Sequence, residues 1–157
     1  MGLTGKLEGH TEIKSSPQVF HDLFAGKPHQ IAIASPEIVH GHTLHEGELG
    51  ATGSIIEFHF THDGVRKSTK NLIEKDDGKN QLVLKVVGGD FDEEFTNLRG
   101  TYVATEKGDG KSIVKWTLEF EKKNETVADP VSVLQFLIDV TNNVDAHLQE
   151  AASKVAP

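Results

Sequence analysis

The feature that most constrains this chain is a change of period. From Glu37 to Glu121 apolar residues alternate with polar ones in short runs separated by turn signals, and beyond Asp129-Pro130 they recur at helical spacing. Ser54–Thr61 sets Ile56, Phe58 and Phe60 against Glu57 and His59, and Gln81–Val87 puts Leu82, Leu84 and Val86 on one side. Ser112–Glu121 alternates Val114, Trp116, Leu118 and Phe120 with Lys115, Thr117, Glu119 and Glu121. Strands at Ile38–Leu44, Lys67–Lys75 and Glu94–Thr105 complete the series, punctuated by His62-Asp63-Gly64, Asp76-Asp77-Gly78-Lys79 and Lys107-Gly108-Asp109-Gly110. Upstream, Leu3–Ile13 reads as a half-buried strand with Leu3, Gly5, Leu7, Gly9, Thr11 and Ile13 on one face. Ser16-Pro17 then opens a short helix carrying Val19, Phe20, Leu23 and Phe24, and a second short helix fits around Pro28–Ala34, ended by Pro36.

The C-terminal stripe is Leu134, Leu137/Ile138, Thr141, Val144/Asp145 and Leu148, with Asp129 as N-cap and Pro130 at the first helical position. From Pro130 to about Ala152 this helix is roughly 34 Å long, about the length of a ten-residue strand, so it can run along a sheet. The order β-α-α-β-β-β-β-β-β-α specifies an α+β fold over residues 1–157 as one domain: an antiparallel sheet of about seven strands covered by the last helix. The inward positions include the aromatics Phe58, Phe60, Tyr102, Trp116 and Phe120. They also include Gly5, Gly9, Gly100, Thr69 and Asn71, small or polar where a close-packed core wants bulk. Patterning leaves two readings open, a filled core and a curved sheet held off its helix around a cavity.

Composition narrows the chemistry. With 24 acidic against 16 basic residues the net charge is −8, which repels polyanions, so no nucleic-acid partner is expected. The absence of Cys removes disulfides, thiolate nucleophiles and Cys-ligated metals, and fits a reducing compartment. The start MGLTGKLEGH lacks a signal peptide's basic and apolar regions, has Lys6 where a myristoylation signal wants Ser or Thr, and no apolar run is long enough to cross a bilayer. The expectation is a soluble, cytoplasmic monomer or weak dimer whose partner is a small molecule.

The candidate chemical constellations are weak. His40 and His42 would share a face of a strand and could chelate a metal, but no acid partner stands at fixed spacing, and both read as surface histidines. Asp76–Asn80 lacks the ligand ladder of a calcium loop, and Glu46/Glu48 and Asp92/Glu94 fall on loops, as solvated charge. No metal or cofactor is expected.

Four segments carry a family likeness: Gly5-Lys6-Leu7-Glu8, Glu46-Gly47-Glu48-Leu49-Gly50-Ala51-Thr52-Gly53-Ser54-Ile55, Lys85-Val86-Val87-Gly88-Gly89-Asp90, and Ser112-Ile113-Val114-Lys115-Trp116-Thr117-Leu118-Glu119-Phe120-Glu121-Lys122. In this order the chain resembles the plant major latex proteins, within the Bet v I-type, pathogenesis-related class-ten superfamily and its START-like helix-grip relatives. The resemblance implies a seven-stranded antiparallel sheet gripping the long C-terminal helix, two short helices after the first strand, and an internal cavity for hydrophobic ligands. It places Ile56, Phe58 and Phe60 on the inner wall of the third strand. Leu82, Leu84 and Val86 fall on the fifth, Leu98 and Tyr102 on the sixth, and Val114, Trp116 and Leu118 on the seventh. Leu23 and Phe24 would cap the space, with Leu134, Leu137, Ile138 and Thr141 closing it from the helix. The chain departs from the class-ten glycine loop, with Leu49 at one glycine position and Ala51-Thr52 before Gly53, and the loop reads as a structural turn without a phosphate role. The implied function is a carrier of sterol-like, fatty-acid or phenolic metabolites linked to defence or stress. The alternative is an isomerase or cyclase using the same cavity, for which Tyr102, His40 and His42 are the candidate acid–base groups.

Overall fold

The computed structural model describes residues 3–155, so the Met1-Gly2 start lies outside the described residues. Strand β1 (Thr4–Ile13) is followed by helix α1 (Pro17–Phe24), a 3₁₀ turn (Pro28–Gln30) and the short helix α2 (Ile31–Ala34). Six strands come next: β2 (Val39–Glu46), β3 (Ile55–His62), β4 (Val65–Asp76), β5 (Gln81–Gly89), β6 (Phe95–Gly108) and β7 (Lys111–Lys122), with a second 3₁₀ turn at Asp90–Glu93. Helix α3 (Val131–Val155) closes the chain. The strands form one curved antiparallel sheet in the order β1-β7-β6-β5-β4-β3-β2. This is the α+β architecture that the change of period implies, with the sheet gripping the last helix as the family resemblance implies.

Local chemistry explains the element ends. Ser16 accepts a hydrogen bond from the Val19 amide at 3.2 Å with Pro17 opening α1. Asp63-Gly64 and Asp109-Gly110 both take positive φ, the two-residue turn whose twist matches the flanking strands. Gly50 sits at φ 82° against the Gly26 carbonyl, so the glycine-bearing loop packs directly on the end of α1. The second short helix arrives in two pieces, the 3₁₀ turn and α2. The last helix begins one residue later than its pattern suggests, at Val131, and the Asp129 carboxylate, expected as its cap, accepts from Lys122 at 2.8 Å.

The sheet and α3 are joined tightly along β1 and β7. A Cβ on Gly9 would lie 3.0 Å from Ile138 Cδ1 and 3.3 Å from Leu134 Cδ2, so the missing side chain is what lets the helix settle there. The Trp116 indole N–H donates to Thr141 Oγ1 at 2.8 Å, and that hydroxyl donates to the Leu137 carbonyl at 2.8 Å. Asp145, buried on α3, accepts from the Lys14 and Ser15 amides at 3.0 Å each and from Ser15 Oγ at 2.7 Å, fastening the link between β1 and α1. Replacing Asp145 with Ala strands two backbone donors, and should lower the unfolding free energy by about 3 kcal/mol in urea titrations followed by circular dichroism.

Candidate functional site

An apolar cavity lies where α3 stands away from β3, β4 and β5. Its sheet wall is built from Phe58 and Phe60 of β3, Thr69 and Asn71 of β4, and Leu84 and Val86 of β5. Leu98 and Gly100 of β6 and Leu118 of β7 continue it, Val133, Phe136, Leu137 and Val140 of α3 form the roof, and Phe24, Ile31, Val39, His62 and Phe91 close the ends. About 90 Å³ can be occupied by the centres of water-sized molecules, and the atom-free space bounded by the wall, including the part open to solvent, is about 760 Å³. A smaller space, lined by Ile56, Ile73, Leu82 and Pro28 among others, shares Phe24, Ile31, Phe58 and Leu84 with it. His62, Thr69 and Asn71 are the polar side chains on a wall otherwise made of carbon.

The rest of the interior is filled. Phe20, Phe24, Tyr102 and Trp116 meet at centroid distances of 5.2 to 5.8 Å, mostly edge to face. The Tyr102 hydroxyl donates to His21 Nδ1 at 2.8 Å, and His21 Nε2–H donates to Asp77 Oδ1 at 2.7 Å. Burial, aided by the Asp77 and Asp22 charges, holds the Tyr102 phenol well above its ordinary range, so it stays a donor. The His21 hydrogen bond holds the Asp77 carboxyl below its own. Tyr102 therefore ties α1 to β6 and the β4–β5 turn and does not border the cavity.

The inward residues anticipated from the sequence divide between these two regions. Phe24, Phe58, Phe60, Leu84, Val86, Leu98, Leu118 and Leu137 border the cavity, and Ile56 and Leu82 border the smaller space. Leu23, Tyr102, Val114, Trp116, Leu134, Ile138 and Thr141 lie outside both linings, within the packed half or against β1 and β7. The helical face that roofs the cavity, Val133, Phe136, Leu137 and Val140, is rotated from the stripe led by Leu134. The stripe's Leu134, Thr141 and Asp145 serve the docked side instead.

His40 and His42 do not share a face. A register shift in β2 between Val39 and Gly41 sets Gly41 opposite outward His59 and His42 opposite inward Phe58. His40 bonds Thr61 Oγ1 at 2.7 Å on the outer surface, and among the described residues no three His, Asp or Glu side chains are grouped to hold a metal.

His62 and Phe91 were concealed in sequence, one beside a turn dipeptide and the other inside an acidic run. His62 is the last residue of β3 and only 7% exposed. Lys67 Nζ, which can only donate, bonds its Nδ1 at 2.8 Å, so the proton sits on Nε2 and is given to Ser132 Oγ at 2.8 Å. Burial first, then the Lys67 charge, push the imidazole below its ordinary range against smaller upward pulls from Asp63 and Glu94. This tautomer cannot accept a proton from Ser132, so the Ser132–His62–Lys67 line is no nucleophile–base pair. Phe91 is a lone apolar residue among five positions of otherwise acidic sequence and anchors the 3₁₀ turn under Lys67, whose Nζ lies 5.1 Å from the ring centre.

A hollow apolar interior between a seven-stranded antiparallel sheet and a long terminal helix defines the class of helix-grip proteins. Residues 2–151 match the model of the pathogenesis-related protein Bet v 1 family, and the chain belongs to that family. It is 44% identical to MLP-like protein 28 and 42% to MLP-like protein 43, both of Arabidopsis thaliana, over 148 residues and 93% of this chain. The chain spans 44% of the length of the first relative and 94% of the second. The crystal structure of major latex-like protein 151 from Panax ginseng superposes with a TM-score of 0.88 at 39% identity, covering 93% of this chain and 98% of that one.

A histidine kept neutral by the fold binds its proton more readily once unfolded, so its contribution is present above the ordinary histidine pKa of about 6.5 and is lost as pH falls below it. Urea midpoints measured between about pH 8 and pH 5 should fall for the native chain toward the acid end, and His62→Gln should flatten that slope.

Proposed function

We propose that the chain is a single-domain carrier for small hydrophobic molecules, of the sterol-like, fatty-acid or phenolic kind, held in the cavity beneath α3. The carrying observation is the wall: residues from six strands and α3 present carbon to an interior void, where a close-packed core would fill it. An apolar guest leaving water gains about 25 cal/mol for each Å² it buries, less the cost of ordering. We place it in the cytoplasm, as a monomer or weak dimer without a nucleic-acid partner, in a defence or stress setting. The described helices include none long and apolar enough to cross a membrane.

The same cavity could in principle turn over a bound metabolite, and the geometry favours carriage. Tyr102 is spent on His21 behind the wall, His40 is on the outer face, and His62 holds its proton toward Ser132. No carboxylate is among the lining residues.

An environment-sensitive apolar dye should bind the native chain and be displaced by members of these ligand classes at micromolar concentration, about −8 kcal/mol. Leu84→Trp, placed where both spaces meet, should abolish dye binding with the far-ultraviolet circular dichroism unchanged. Failure of every class to displace the dye overturns the carrier reading.

A further inference from the structure

Asn71 stands at an inward position of β4, opposite Ile56 of β3 and Val86 of β5, and is 4% exposed. Its Nδ2 donates to the Thr69 carbonyl at 3.0 Å, to the Ile56 carbonyl at 3.3 Å and toward Thr69 Oγ1 at 3.2 Å. Carbonyls only accept, so these partners identify which end of the amide is nitrogen. They leave Oδ1 with no protein donor. No side-chain nitrogen or oxygen among the described residues is both fully enclosed and unpartnered, so Oδ1 is open, and what it opens on is the void its own residue lines. Thr69, two residues away on the same face, accepts from Asn71 and has no protein acceptor for its hydroxyl proton.

We infer that Oδ1 of Asn71 and Oγ1 of Thr69 form a hydroxyl-recognition subsite inside the cavity, selecting apolar guests that carry a neutral alcohol or phenol. The inference rests on the carrier reading above and narrows it. A hydroxyl donates to Asn71 and accepts from Thr69, satisfying both groups with one atom. A hydrocarbon leaves both unmet, and an ether can accept but not donate. A carboxylate brings its charge against the Oδ1 lone pairs in an apolar space, and Lys67 does not compensate it there, being turned to His62 and outside the lining. An asparagine serving the fold alone would have its carbonyl partnered as well as its nitrogen.

The test is calorimetric titration of the native chain at neutral pH with β-naphthol, its methyl ether, naphthalene and β-naphthoate. β-Naphthol should bind about tenfold more tightly than the ether or naphthalene, with naphthoate weakest. Asn71→Leu should bring β-naphthol down to the level of naphthalene, whose own affinity stays within about twofold. Thr69→Val, which keeps the shape and removes the hydroxyl while Asn71 Nδ2 retains its two carbonyl acceptors, should weaken β-naphthol about threefold and serves if the first variant does not fold. Equal affinities for β-naphthol, ether and naphthalene overturn the subsite and leave the carrier reading intact. Binding of none of the four overturns the carrier reading and the subsite with it.

Discussion

The interior of this protein depends on how α3 is spaced from the sheet. Along β1 and β7 the helix is drawn in by the bare backbone of Gly9, by the Trp116–Thr141 hydrogen bond and by the Asp145 carboxylate over the Ser15 amide. On its other side Phe136 stands against Phe60 at a centroid separation of 5.0 Å, and Phe60 in turn faces Phe91 at 6.1 Å. Rings of this size act as props. A helix docked on one side and propped on the other cannot close on a curved sheet, and what is left between is the cavity. The two readings that patterning leaves open, filled and hollow, are thus both present, in different halves of one core.

The fold was legible because it rests on periods. Alternation in Ser112–Glu121 reappears as strict burial of Val114, Trp116, Leu118 and Phe120, and Asp63-Gly64 and Asp109-Gly110 turn where their positive φ is needed. The family segments add the grip of sheet on helix. The cavity wall was only half legible, because a period says which face is inward and not what that face meets. Tyr102 and Phe58 have the same alternating signature, yet one is sealed among rings while the other borders empty space. On α3 the inward arc is wide enough for two stripes, and the one led by Leu134 docks on Gly9 while its wholly apolar neighbour roofs the void.

Two further misreadings have local causes. A single bulge in β2 moved His40 and His42 to opposite faces, an effect of one extra residue that alternation cannot register. His62 was masked by the turn dipeptide that follows it, although it is as buried as Thr69 on the same wall. Phe91 did leave a signal: one aromatic residue inside Asp90–Glu94 has no reason to be on a charged surface unless it is anchored.

The size of the void bears on how a guest is taken up. Space for about 90 Å³ of water-sized centres is small beside the hundreds of Å³ typical of ligand pockets, so a large guest must part the walls. They are not equally tied. The β6–β7 ladder runs from the Phe95–Lys122 pair to the Gly108–Lys111 pair, whereas β5 pairs with β6 only from Gln81 to Lys85, and beyond it Val86–Gly89 leaves β6 for the Asp90–Glu93 turn. Along that seam the cavity is lined by the side chains of Val86, Leu98 and Phe91, with no β5–β6 backbone ladder behind them. Moving three apolar side chains costs far less than breaking strand hydrogen bonds, and a guest that buries carbon in their place offsets the cost. The wall has the least backbone pairing where β5 leaves β6, so a void set by the spacing of α3 can widen along that seam.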